Sequence, residues 1–151
     1  MRTLTVLLIS TALVLAAQSA AAKGSSLTPT GDLRIPKVEV TGTAVFYPFK
    51  AGKVYLEVLA VRAPDGTIRI ALNTCQVCYS SGRGYYTQKG DVLVCNNCGN
   101  RFPLARVGLV KGGCNPVPVA AEARTEDAQF IVISKAFLTE AAPLFANWKK
   151  K

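Results

Sequence analysis

The chain contains no histidine, and its single methionine is Met1. Without imidazole there is no Ser-His-Asp or Cys-His nucleophile, no Rieske-type histidine pair and no histidine-ligated haem. Copper sites built on His and Met lack their ligands as well. Acidic residues are scarce, nine Asp and Glu against eighteen Lys and Arg, for a net charge of +9. They are dispersed, with no carboxylate pair placed for acid–base hydrolysis, so the chain is read as a metal-binding or electron-transfer protein and not as an enzyme. Apolar runs long enough to approach a membrane span are also missing, except near the N-terminus.

That N-terminal stretch has the form of an export leader. Met1-Arg2 is a short positive start, residues 4–17 are apolar apart from small hydroxyl side chains, and Ala20-Ala21-Ala22 before Lys23 offers a small-residue cleavage signal. Residues 1–22 are therefore read as a signal peptide, with an uncleaved N-terminal anchor as the alternative. Either reading places the remainder in the periplasm or otherwise outside the cytoplasm, peripheral to a membrane at most. Arg2 is the only charged residue of the leader, so the excess of base belongs to the chain beyond residue 22. A basic domain suggests nucleic acid or anionic lipid, but an exported chain rarely meets nucleic acid, and no such partner is expected.

Residues 23–32 are rich in Ser, Thr, Pro and Gly and read as a linker, followed by one domain over residues 33–148. Residues 38–47 have the β-branched, roughly alternating character of a strand, and a break is expected across residues 48–52. Residues 54–61 form a second strand, and Ala63-Pro64-Asp65-Gly66 is a turn leading into a return strand over residues 67–72. Tyr85-Tyr86-Thr87 and Val92-Leu93-Val94 flank a Lys89-Gly90-Asp91 turn as a short hairpin. Late in the chain Phe130-Ile131-Val132-Ile133 is strand-like, and Ser134 is placed to cap a helix through Ala142. Pro143 opens a further turn whose Leu144, Phe145 and Trp148 read as core. Lys149-Lys150-Lys151 reads as a solvated tail. The predicted fold is mainly β with a minor helical part: a β-hairpin scaffold, a rubredoxin- or zinc-ribbon-like metal lobe and a short C-terminal helix.

The strongest signal is the cysteine pattern: Cys75-x-x-Cys78, Cys95-x-x-Cys98, then Cys114. Two Cys-x-x-Cys pairs about 15–20 residues apart have the spacing of a four-thiolate site, each tight turn presenting two sulfurs to one centre. Cys75, Cys78, Cys95 and Cys98 are the predicted metal ligands, and Cys114 is a candidate additional ligand or redox thiol. Gly99 allows the positive φ that turns backbone N–H groups toward sulfur. Between Cys75 and Cys114, Arg83, Lys89, Arg101, Arg106 and Lys111 face the single acid Asp91 and would offset thiolate charge. Neither pair is followed by a helical pattern, which argues against thioredoxin-like chemistry. The spacing leaves three readings: a redox iron–sulfur cluster, a structural Cys₄ zinc ribbon, or a disulfide scaffold. The last is disfavoured by the odd cysteine and by the small loops that such close pairs would close.

The segments Ala71-Leu72-Asn73-Thr74-Cys75-Gln76-Val77-Cys78-Tyr79, Gly84-Tyr85-Tyr86, Val94-Cys95-Asn96-Asn97-Cys98-Gly99, Arg101-Phe102 and Gly112-Gly113-Cys114-Asn115-Pro116 together resemble the FtrD-like iron–sulfur domain family. The resemblance is strong over residues 54–118 and extends weakly to Phe145. It implies an extracytoplasmic domain passing electrons through a [4Fe–4S] or [2Fe–2S] cluster, in some members beside membrane redox or iron-transport components. Longer members carry membrane helices ahead of the domain, and this chain shows none of them. Spacing alone puts zinc first; the resemblance moves the iron–sulfur cluster to the front and keeps zinc as the alternative.

Overall fold

The computed structural model describes residues 26–28 and 30–150, and the leader read at residues 1–22 lies outside them. The elements run in the order β1 (Ser26–Leu27), β2 (Leu33–Pro36), β3 (Val45–Ala51), β4 (Val54–Arg62), β5 (Ile68–Cys75), β6 (Tyr86–Lys89), β7 (Val92–Cys95), β8 (Arg101–Pro103), β9 (Pro116–Pro118), β10 (Arg124–Glu126), β11 (Phe130–Ile133) and α1 (Lys135–Glu140). The strands make three antiparallel sheets, ordered β1-β2-β11-β10, β3-β4-β5-β9 and β6-β7-β8. The mainly β class, the antiparallel hairpins and the single short C-terminal helix agree with the sequence reading.

The middle sheet is covered on both faces. Leu56, Val58, Ala60, Ile70 and Leu72 pack against Leu33, Ile35, Ile131 and Ile133 of the first sheet and Leu138 of α1. From the opposite face Leu59, Val61 and Ala71 meet Leu93, Phe102, Leu104 and Val107 of the cysteine lobe. Double burial accounts for the unbroken apolar run Val58-Leu59-Ala60-Val61 within β4. Leu56 and Leu59 point to opposite cores and are both fully buried, each contributing about 1.5–3 kcal/mol relative to exposure.

Two expectations are corrected. The strand expected at residues 38–47 begins at Val45 and runs through Pro48 to Ala51, while Lys37–Glu39 is a 3₁₀ turn and Val38 is exposed. Pro48 is tolerated because β3 is an edge strand paired only with β4, where a missing N–H can face solvent. The lysine tail is not wholly solvated. The backbone N–H of Lys149 donates to Gly82 O at 2.9 Å, and the Lys150 ammonium pairs with the Glu57 carboxylate and lies 4.0 Å over the Phe46 ring. Lys151 is outside the described residues. Ser134 does cap α1, accepting from the Phe137 N–H, and Pro143 opens the 3₁₀ segment Ala142–Phe145. Phe145 is core, and Trp148 packs edge-on to it with centroids 5.4 Å apart. Ser26–Leu27, within the stretch read as linker, pairs with Leu33–Arg34.

A buried polar chain joins scaffold to lobe. Asn73, fully buried on β5, donates through Nδ2 to Glu57 at 2.8 Å and accepts through Oδ1 from the Tyr86 N–H at 2.9 Å. Removing this amide leaves the Tyr86 N–H unsatisfied inside the protein. Asn73→Ala is therefore expected to destabilise the fold by about 1–3 kcal/mol, read by chemical denaturation. An unchanged midpoint would show that the lobe is not held through this residue.

Candidate metal centre

β5 carries the chain out of the scaffold and ends at Cys75. Its pairing with β9 shifts register between Leu72 and Cys75, an irregularity that aims the strand end into the lobe. Cys75-Gln76-Val77-Cys78 then forms a tight turn in which the Cys78 N–H points at Cys75 Sγ, 3.4 Å away. The second turn is built alike. β7 ends at Cys95, whose N–H donates to Asn100 O and whose O accepts from Gly99 N–H, both at 2.9 Å. Gly99 has φ 74°, the left-handed conformation this closure needs. In each turn two backbone N–H groups face the first sulfur: Val77 and Cys78 toward Cys75, and Asn97 and Cys98 toward Cys95.

The third cysteine loop is brought in by Gln76. Its Nε2 donates to the carbonyls of Val110 and Pro116, each at 3.2 Å, and its Oε1 accepts from the Gly112 N–H at 2.7 Å. Its own N–H donates to Asn115 O at 3.0 Å. Asn100 and the Tyr86 hydroxyl add donors to the Cys114 carbonyl, at 3.0 and 3.1 Å. Hydrogen bonds from Gln76, Asn100 and Tyr86 thus fix a loop that contains Gly112 and Gly113.

All five predicted cysteines meet. The sulfurs of Cys75, Cys78, Cys95 and Cys114 lie within 4.8 Å of one another, with Cys114 at 3.2 Å from Cys75 and 3.9 Å from Cys78. Cys98 stands at the edge: its sulfur is 2.8 Å from that of Cys114, and it is exposed where Cys75 and Cys95 are almost completely covered. Spacing points to the two Cys-x-x-Cys pairs as ligands with Cys114 auxiliary. In the structure Cys114 stands among the inner four sulfurs, and Cys98 is the outer one.

The pocket divides its thiols electrostatically. Burial pushes the Cys75 thiol up, but N–H donation from Cys78 and Val77 and its contacts with Cys114 and Tyr86 outweigh this and bring it below the ordinary value. Contact with Cys114 and the Asn100 N–H hold Cys98 down at about 7. Burial raises Cys78 to about 11 and also raises Cys95 and Cys114. A metal entering the pocket must therefore displace protons, as thiolate sites generally require. Among the described residues, Arg83, Lys89, Arg101, Arg106 and Lys111 take part in no ion pair, and Arg83 reaches the second turn at Asn96 O, 3.5 Å away.

A thiolate-only donor set suits soft or borderline metals, iron and zinc, and does not suit cations that demand oxygen ligands. The model for the family described as "Membrane iron-sulfur containing protein FtrD-like" matches residues 40–145. The chain belongs to this family. No curated protein and no solved structure matches it. The matched residues contain all five cysteines and every hydrogen bond that positions them. No helix among the described residues is long and apolar enough to cross a membrane.

Gln76, Tyr86 and Asn100 carry no site signature that sequence reasoning picks out. Gln76 sits inside a Cys-x-x-Cys pair, and that placement is its only available signal. Residues that hold metal ligands in place commonly change affinity 10–100-fold when removed, so Gln76→Ala is expected to weaken metal binding by about that factor in chelator competition. Serine replacement at Cys75, Cys78, Cys95 or Cys114 should abolish tight binding, with Cys98→Ser the mildest of the five. The reverse order at Cys98 and Cys114 would show that the inner set is the one the spacing suggests.

Proposed function

We propose that this FtrD-like protein is a small electron carrier that works outside the cytoplasm, holding an iron–sulfur centre in the pocket formed by Cys75, Cys78, Cys95, Cys98 and Cys114. The observation that carries the reading is the convergence of four sulfurs within 4.8 Å, with a fifth in contact at the surface, in a chain of an iron–sulfur family. Such a centre supplies one-electron redox chemistry when bound. The chain's residues contribute the setting. N–H groups of both turns favour added negative charge at the sulfurs. Val77 and Tyr79 leave an exposed apolar rim beside the first turn, suited to brief contact with a redox partner.

Membrane redox or iron-transport components are the partners in this reading, consistent with the family's description as a membrane protein. The leader read at residues 1–22 supports export. The absence of histidine and of paired carboxylates supports transfer of electrons without bond-making catalysis.

One observation favours a second reading. Four thiolates around a single ion, at about 2.3 Å each, stand about 3.8 Å apart. The sulfur separations of 3.2 and 3.9 Å from Cys114 are near that value. A single zinc stapling the two turns and the third loop would give this spacing with no redox role. A larger centre needs the sulfurs to stand farther apart than these separations.

Metal analysis and absorption spectroscopy on protein purified without oxygen after iron-replete expression separate these readings. The electron carrier should contain iron with comparable acid-labile sulfide and show thiolate-to-iron charge-transfer bands that bleach on reduction. A colourless protein with one zinc per chain would establish the structural role instead.

A further inference from the structure

We propose that Cys98 and Cys114 form a dedicated redox pair that closes to a disulfide in the metal-free protein, withdraws Cys114 from the ligand set and so bars metal entry until the bond is reduced. The proposal deepens the metal-centre reading and rests on it for its consequence, though not for the bond itself. Sulfur–sulfur distance, access and backbone freedom select this pair.

The Cys98–Cys114 separation of 2.8 Å is shorter than the 3.2 Å from Cys75 to Cys114 or the 3.9 Å from Cys78 to Cys114. A disulfide bond is about 2.05 Å long, so closure requires movement of less than about 1 Å. Access decides between Cys98 and Cys75 as the partner of Cys114. Cys98 is exposed and Cys114 partly so, whereas Cys75 is fully buried at the end of β5 and its sulfur is already engaged by the Cys78 N–H. An external disulfide can reach Cys98 and cannot reach Cys75.

Glycines flank both cysteines. Gly99 comes directly after Cys98, and Gly112 and Gly113 precede Cys114, with φ of 74°, 81° and 68°. The Asn100 Nδ2 bond to the Cys114 carbonyl keeps the two backbones together while the sulfurs move. Cys75, Cys78 and Cys95 are left as three thiols, one short of a four-coordinate site.

The chemistry balances as thiol–disulfide exchange with a disulfide-bearing oxidant. The Cys98 thiolate attacks one sulfur of that disulfide, the oxidant's S–S bond breaks, and one thiol leaves. Cys114 then attacks Cys98 Sγ in the mixed disulfide and releases the second thiol. The chain gives up two electrons and two protons, and the oxidant becomes two thiols. A thiol reductant reverses both steps and returns Cys114 to the pocket.

The test uses the full chain, stripped of metal, treated with oxidised glutathione and mapped by peptide mass spectrometry. A Cys98–Cys114 crosslink is expected, with Cys75, Cys78 and Cys95 still open to alkylation after unfolding. Cobalt(II), added as a metal probe, should give its thiolate absorption only after reduction in the unaltered protein. In Cys98→Ser the crosslink should be absent, and Cys114 should be alkylated together with the other thiols. A crosslink within either Cys-x-x-Cys pair, a stable glutathione adduct on Cys98, or equal cobalt uptake before and after reduction would overturn the proposal. Failure of the fully reduced protein to take cobalt, with the crosslink present after oxidation, would refute the metal-centre reading and leave the pair as a site of disulfide exchange.

Discussion

The β4–β5 hairpin has to be covered on two sides at once. Leu56, Val58 and Leu72 need the sheet of β2 and β11 together with α1, while Leu59, Val61 and Ala71 need the lobe of β6, β7 and β8. Because the lobe supplies one of these covers, the metal centre is part of the core rather than an appendage. Cys75, Cys78 and Cys95 sit in the same apolar cluster as Leu59 and Phe102. Metal occupancy and packing of this face are therefore coupled, and free energy of binding at the sulfurs is also free energy of folding for the lobe.

Polar contacts at this boundary are few and specific. Lys150, Glu57, Asn73 and Tyr86 form one line from the C-terminal segment to the Cys114 carbonyl. In a poorly hydrated interior each member depends on its neighbour for satisfaction, which fixes a single register between scaffold and lobe. The C-terminal segment adds a second tie. Lys149 N–H donates to Gly82, and Asn147 Nδ2 donates to Ser80 O at 3.3 Å, holding the 3₁₀ turn just past Cys78. A Cβ at Gly82 would come 1.9 Å from the Asn147 carbonyl oxygen, so this approach is open only to glycine.

The arrangement of thiols has a functional logic of its own. Cys75, Cys78, Cys95 and Cys114 form the inner group, and Cys98 meets Cys114 at the rim, with Gly99 after Cys98 and Gly112 and Gly113 before Cys114. A site built this way combines a preorganised base with an adjustable opening. Metal loading needs access at one edge, and Cys98 provides it without exposing Cys75 or Cys95.

The hairpins, the capped helix and the five-cysteine constellation were legible in the sequence because each depends on local rules: alternation, turn residues, a Ser N-cap and the short reach of a Cys-x-x-Cys turn. The strand through Pro48 was not, since a proline that would break a central strand is harmless on an edge, and edge position is a property of the sheet. The docking of Lys150 escaped for a similar reason: its partner Glu57 lies far away along the chain, and a terminal lysine run carries no local sign of that contact. With five cysteines and no histidine, the sequence already marks thiols as the candidate metal ligands. Only the tertiary structure decided that Cys114 stands inside and Cys98 at the edge. That order is set by the Gln76 bracket, the Asn100 bond and the burial of β5, contacts between segments that one-dimensional spacing does not encode.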